Sequence, residues 1–210
     1  MRKWYPAFLV AAAFLFSLFA YRHLPDPMVT HWDMRGNPNG YGSRFVGAFL
    51  VPVIALVVWG FMRGLPYIDP RRANYAKFQS TYDLIVNAVV TLMVAIHVAV
   101  IGTALGWPIH IQVVTPLGVG IMLLVMGNVM PRARSNWWFG IRTPWTLSSD
   151  SVWNRTHRVG GYLMTAAGVL TILSVLLPPQ VGFVVLMGSI VGASLGSVVY
   201  SYFAWKGEQS

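Results

Sequence analysis

The sequence predicts an all-α fold, a polytopic six-helix transmembrane bundle with both termini in the cytoplasm. Three observations carry that prediction. Hydrophobic residues make up 56% of the 210 positions and charged residues only 10%, where a soluble domain averages about 25% charged. Six apolar runs approach or exceed the roughly 20 residues that a spanning helix needs. Basic residues gather in alternate connections between those runs, as the positive-inside rule describes.

The first run, residues 4–21, follows Arg2 and Lys3. It is longer than the h-region of a signal peptide and no small-x-small cleavage site follows it, so it reads as a retained span. The second, 45–62, contains Pro52, which membrane helices tolerate because neighbours re-satisfy the freed backbone. Residues 63–82 are polar, with Pro66, Pro70, Arg71, Arg72 and Lys77. The third and fourth spans, 84–107 and 109–130, meet at Pro108. The fifth and sixth, 159–177 and 181–205, meet at Pro178 and Pro179, and 206–210 is a short tail.

The chain thus divides into an N-terminal two-span unit (1–62) with a structured external loop (22–44), a cytoplasmic linker (63–82), and a four-span unit (83–210) with a cytoplasmic loop (131–158). Of the 15 Lys and Arg, 12 fall on the side of the termini, and only Arg22, Arg35 and Arg44 on the other. That bias places the protein in the cytoplasmic membrane with both termini inside. It also accounts for the net charge of +9 without nucleic acid, since no basic groove with stacking aromatics accompanies it. The bilayer is the expected partner. With no cysteine, disulfides, thiolate metal sites and cysteine nucleophiles are excluded.

Within the spans, Asp83, Asn87, Thr91 and His97 fall within an arc of about 120° on one helix. Intramembrane polar groups face the protein interior or water. Asn87 and His97 are therefore candidates for a relay or binding site, but a buried His97 that pins neighbouring helices is the simpler expectation. Asp83 reads as solvated at the helix end. Gly188, Gly192 and Gly196, shadowed by Ser189, Ala193 and Ser197, form a small-xxx-small face. Tight packing within the bundle is expected there, with a homo-oligomer contact as the alternative.

Two polar stretches carry the candidate sites. In the external loop, Gly36, Asn37, Pro38, Asn39 and Gly40 are turn formers. His31 and Asp33 share one face if that stretch is extended, and with His23 nearby they could ligate a divalent metal such as zinc. The competing reading is a compact turn. There Asp33 accepts from the backbone amides of Arg35 to Asn37, and Arg44 pairs with it.

In the cytoplasmic loop, Ser148 or Ser149 caps the next helix, with Asp150 in its first turn. That helix then presents Trp153, His157, Gly160, Gly161 and Met164 on one face and runs on into the fifth span. Arg142 among aromatics suits a carboxylate or phosphate; Trp137, Trp138, Trp145 and Trp153, with Arg142, Arg155 and Arg158, suit an interfacial segment that either anchors in lipid headgroups and closes the loop or docks a cytoplasmic partner or a peptide. No G-x-S-x-G elbow or H-E-x-x-H pair is present, so no catalysis is expected.

The segment from Leu24 through His31-Trp32-Asp33, Gly36-Asn37-Pro38 and Gly40 to Arg44 resembles the short membrane-associated domain of unknown function that commonly opens SdpI-type proteins. Gly127-Asn128, Pro131, Asn136, the run Phe139 to Ser148, Val152-Trp153, Thr156-His157-Arg158 and Gly160-Gly161 closely resemble the SdpI family signature. The six-span layout matches as well. The resemblance implies a bacterial membrane protein conferring immunity to a secreted peptide toxin, with a transcriptional repressor as its cytoplasmic partner. Its ligand or partner surface would be Arg142, Thr143, Trp145, Thr146, Trp153 and His157 inside, facing His31, Asp33, Asn37 and Arg44 outside. Two other classes stay open: a membrane enzyme or metal-binding protein using His31 and Asp33, and a small transporter using His97 and Asn87.

Overall fold

The structure, a computed structural model, describes residues 4–209. Arg2 and Lys3, counted above on the cytoplasmic side, lie outside the described residues, as does Ser210. The described helices are α1 (Tyr5–Ala20), α2 (Arg44–Ile68), α3 (Tyr75–Ala104), α4 (Ile111–Val129), α5 (Pro144–Ser148), α6 (Asp150–Leu173) and α7 (Pro179–Gln209). A two-stranded antiparallel hairpin, β1 (Met28–Trp32) and β2 (Pro38–Gly42), joins α1 to α2. All but α5 are long and apolar enough to cross a bilayer, and only 17–33% of each apolar window is buried inside the protein. The remainder turns large hydrophobics outward, which water would not tolerate on this scale and lipid does. The protein is a multi-pass membrane protein.

Local chemistry sets the helix limits. Pro6 sits in the first turn of α1, where amides lack intrahelical partners in any case. Ser43 caps α2 by accepting from the Val46 amide, and Ser149 caps α6 by accepting from Val152, both at 3.3 Å. Asp150 stands in the first turn of α6, and that helix runs without a break into the fifth span, as expected.

Two helix ends depart from expectation. The polar stretch 63–82 is mostly helical: α2 continues through Pro66 to Ile68 and α3 begins at Tyr75, so only 69–74 turns. The two ends are held together by the Tyr82 hydroxyl donating to the Met62 carbonyl (2.6 Å) and by an Arg63–Asp83 ion pair (3.5 Å). Asp83 is therefore buried and paired rather than solvated. Residues 206–209 are likewise helical, the last turn of α7.

Helices α1, α2 and α3 meet through small and β-branched side chains, Val10, Ala55 and Val90 at one level. Ala20, Ala48 and Ile101 pack with Leu24 and Met28 beneath the hairpin. Helices α4 and α6 approach through two reciprocal glycine pairs. A Cβ on Gly127 would lie 2.6 Å from the Gly161 carbonyl, and one on Gly161 2.7 Å from that of Gly127. Gly120 and Gly168 repeat the arrangement at 2.9 and 2.8 Å. Only glycine lets backbones come this close.

The α7 glycine row behaves otherwise. Gly188 and Gly192 face open space, and it is Ala193, Ser197 and Ser201 that are buried. Of the expected face, Gly196 packs near Leu163 and the shadowing Ala193 and Ser197 are buried, while Gly188 and Gly192 are not. A cavity of about 630 Å³ separates α3 from α4, lined by Asn87, Thr91, Leu92 and Gly118 with Tyr5.

Candidate functional site

The segment between α4 and α6 is a folded plug seated on the α2–α3 turn. At its floor is Asp69, a carboxylate only 2% exposed. A buried charge is costly unless hydrogen-bonded, and Asp69 is fully engaged. Its Oδ1 accepts from the Arg71 amide (2.7 Å), and its Oδ2 accepts from the Tyr75 hydroxyl (3.1 Å) and the Trp137 amide (2.9 Å). Arg71 reaches across the turn, donating to the Ser135 hydroxyl and to the Leu147 carbonyl (2.7 Å). Asn74 donates to the Ser135 carbonyl (2.8 Å).

Asn136, completely buried, organises the plug from within. Its Oδ1 accepts from the amides of Trp138 (2.9 Å) and Phe139 (2.6 Å), and its Nδ2 donates to the carbonyls of Arg134 (2.8 Å) and Phe139 (3.0 Å). These side-chain bonds satisfy backbone that no helix or strand would otherwise serve.

The signature residues divide into buried and exposed sets. His157 is buried and stacks on Trp153, ring centroids 3.9 Å apart. Its Nε2 accepts from the Ile141 amide (3.0 Å), and its Nδ1 donates to the Trp153 carbonyl (2.8 Å). A carbonyl can only accept and an amide can only donate, so His157 is the neutral Nδ1–H tautomer with both nitrogens occupied. Gly140 lies against this ring at φ +105°, and a side chain there would collide with Nε2. The Trp153 indole donates to the Ala133 carbonyl (2.9 Å).

Thr143 and Thr146 form a reciprocal capping box at α5, and Thr143 also meets Ser201 of α7 at 3.1 Å. Four residues expected to touch a partner (Thr143, Thr146, Trp153, His157) are therefore buried and brace the plug. What remains accessible is Arg142, Trp137 and Trp138, with Trp145 half-buried against Tyr202. Arg142 donates to the Trp137 carbonyl (2.9 Å), which holds its guanidinium at the surface. Asp69, Arg71, Asn74 and Tyr75 were not among the expected site residues. Asp69 is one of only six acidic residues in the chain, a signal that the linker reading passed over.

The hairpin end follows the turn reading. Asp33 Oδ1 accepts from the amides of Arg35 (2.8 Å) and Asn37 (2.9 Å), and the Asn37 amide, foremost, holds the Asp33 carboxyl below the usual carboxylate range. β1 ends at Trp32, so His31 and Asp33 do not share an extended face. His31 Nδ1 instead meets Asn39 Oδ1 at 2.5 Å. Among the described residues no three His, Asp or Glu side chains gather as metal ligands. Arg44 does not pair with Asp33. Its amide donates to Asp26 (3.2 Å) and its guanidinium lies 5.8 Å from the Tyr21 ring centroid.

His97 and Asn87 are not joined into one site. His97 is buried against Ser17 of α1 at 2.8 Å, while Asn87 lines the cavity toward α4.

The SdpI/YfhL protein family matches residues 132–201, the plug with α5, α6 and most of α7. A domain of unknown function, DUF1648, matches 8–56, which spans α1, the hairpin and the first half of α2. The chain is 29% identical over 168 residues to Immunity protein SdpI of Bacillus subtilis (strain 168), covering 79% of this chain and 78% of that protein. No solved structure matches the chain. The plug and the hairpin of this six-span bundle thus fall in the two segments that resemble the SdpI/YfhL protein family and DUF1648.

Proposed function

We propose that this protein is an immunity and signalling protein of the bacterial cytoplasmic membrane. The hairpin end meets a secreted peptide toxin, and the plug reports that event to a cytoplasmic partner, a transcriptional repressor. The observation that carries this reading is the likeness to an immunity protein over most of both chains. The fold supplies a route. The hairpin residue Met28 packs with Ile101 near one end of α3, and the plug residue Phe139 packs on Tyr75 and Phe78 at the other. The 30-residue α3, kinked at Phe78, thus touches both polar ends. A signal passes only if bound and free states differ in the contacts that α3 makes.

The basic residues at the plug end orient both termini toward the cytoplasm. The native chain lacks cysteine, so single cysteines at Asn39 and Ser148 report the topology directly. Impermeant maleimide on intact cells should label the first and spare the second. The function is tested by expressing wild type and Arg142→Ala in a toxin-sensitive bacterium at equal membrane levels and challenging with secreted killing peptide. Protection by wild type that Arg142→Ala loses supports both halves of the reading. Sensitive wild-type cells would sink immunity, and full protection by the variant would remove Arg142 from the mechanism.

A further inference from the structure

Between the hairpin and the ends of α4 and α7 is a second cavity, of about 370 Å³. Trp32, Asp33 and Met34 line it from the hairpin, Val119 from α4, and Phe183 and Leu186 from α7. Its position is fixed by the hairpin tip. Gly36 has φ +83°, and a Cβ there would sit 3.1 Å from the Gln112 side chain at the start of α4. The tip thus rests on α4 while the flanking residues wall the space.

The walls are mostly apolar, with Gln112, Thr115 and Ser174 as neutral polar members, and two of them are open to approach: Met34 and Phe183 are 53% and 44% exposed. The one ionisable group among the lining residues is Asp33. Its Oδ1 is taken up by two amides, whereas Oδ2 meets only the Asn37 side-chain amide at 3.5 Å. Among the described residues no cation forms an ion pair with it; Arg35, whose charge helps to hold the Asp33 carboxyl ionised, is not part of the lining. A carboxylate oxygen has two acceptor sites, so acceptor capacity remains in an otherwise greasy chamber.

We propose that this chamber binds an apolar peptide segment carrying one cationic group, its side chains entering between Trp32, Val119 and Phe183 and its cation pairing with Asp33. The inference rests on the immunity reading for the source of the peptide, a secreted one, but the binding chemistry stands on the chamber. A phospholipid fits less well, because its phosphate would meet the Asp33 carboxylate.

The test uses the full chain in nanodiscs of zwitterionic lipid. The probe is a fluorescent twelve-residue alanine–leucine peptide with one central lysine, beside the same peptide with glutamine there, followed by anisotropy. Wild type should prefer the lysine peptide by about fivefold, the upper range for a part-exposed ion pair. Asp33→Asn retains Oδ1 for the turn and should bind both peptides equally. Val119→Phe fills the chamber and should lose both.

Equal binding of the two peptides by wild type, or an unchanged preference in Asp33→Asn, overturns the proposal. So does an absence of peptide binding, the result expected if lipid tails occupy the space. The cell challenge separates the two readings. Wild type that binds the lysine peptide yet leaves cells sensitive defeats immunity alone. Asp33→Asn and Val119→Phe that still protect, with no charge preference in wild type, defeat the chamber alone.

Discussion

The Ser17 hydroxyl and the His97 ring lie 2.8 Å apart across α1 and α3, and the same hydroxyl donates to the Ala48 carbonyl of α2 at 2.6 Å. One hydroxyl has one proton. With that proton spent on Ala48, His97 Nε2 must carry its own hydrogen and donate to Ser17. Three helices are thereby pinned at one oxygen. Interhelical bonds in membranes are worth about 0.6–1.7 kcal/mol each, so Ser17→Ala should lower stability by about 1–3 kcal/mol in a detergent unfolding series. The double variant with His97→Ala should lose less than the sum of the two single losses, because the shared bond is counted in both. Fully additive losses would mean that the pin is not shared.

Asp69 anchors the plug from a turn 68 residues away from Trp137. Asp69→Ala leaves the Trp137 and Arg71 amides without their side-chain acceptor and the Tyr75 hydroxyl with only Asn136 Oδ1 at 3.4 Å, a cost of about 1–3 kcal/mol for each amide that stays buried. The plug should loosen before the bundle does. Limited trypsin digestion at Arg134 and Arg142 should accelerate severalfold while the spans stay protected. Unchanged cleavage would show that the plug holds without its floor.

Two glycines should respond in opposite directions. Gly140→Ala forces a side chain into a left-handed conformation and into the His157 ring, and should cost several kcal/mol or prevent the plug from seating. Gly188→Ala meets nothing within 4 Å and should be neutral or stabilising by up to about 1 kcal/mol through helix propensity. Comparing the two unfolding temperatures checks the assignment.

Acid should release the hairpin turn. The Asp33 pKa is lowered from 3.8 in the folded protein, so the unfolded turn binds the proton more tightly. The stabilisation is complete above the unfolded value and is lost as pH falls through the folded one. Trp32 fluorescence should show a transition with its midpoint below 3.8 that Asp33→Asn abolishes. A midpoint above that value would reverse the sign of the linkage.

The spans, the Ser149 cap and the pinning role of His97 were legible in the sequence because each rests on local pattern. Hydropathy marks a span, a hydroxyl three residues upstream caps an amide, and a histidine in an apolar helix needs a partner. The plug floor was not legible. Pro66, Pro70 and Arg71 read as a linker, and only the docked Trp137 and Leu147 show what Asp69 and Arg71 are for. The glycine rows misled for a related reason. A repeat on one helix carries no information about its facing helix, so Gly188 and Gly192 were expected to pack, while Gly120, Gly127, Gly161 and Gly168, which form no such repeat on one helix, bring α4 and α6 together.

Those glycine pairs leave no side-chain slack between α4 and α6. The two helices behave as a single plank, with α7 fastened alongside through Ser197 and Ser201. Helices α1, α2 and α3 form a second raft, riveted at Ser17. The seam between rafts, α3 against α4, contains the void beside Asn87 and Gly118. Any rocking of this protein in the bilayer should follow that seam, and a bulky residue at Gly118 would jam it.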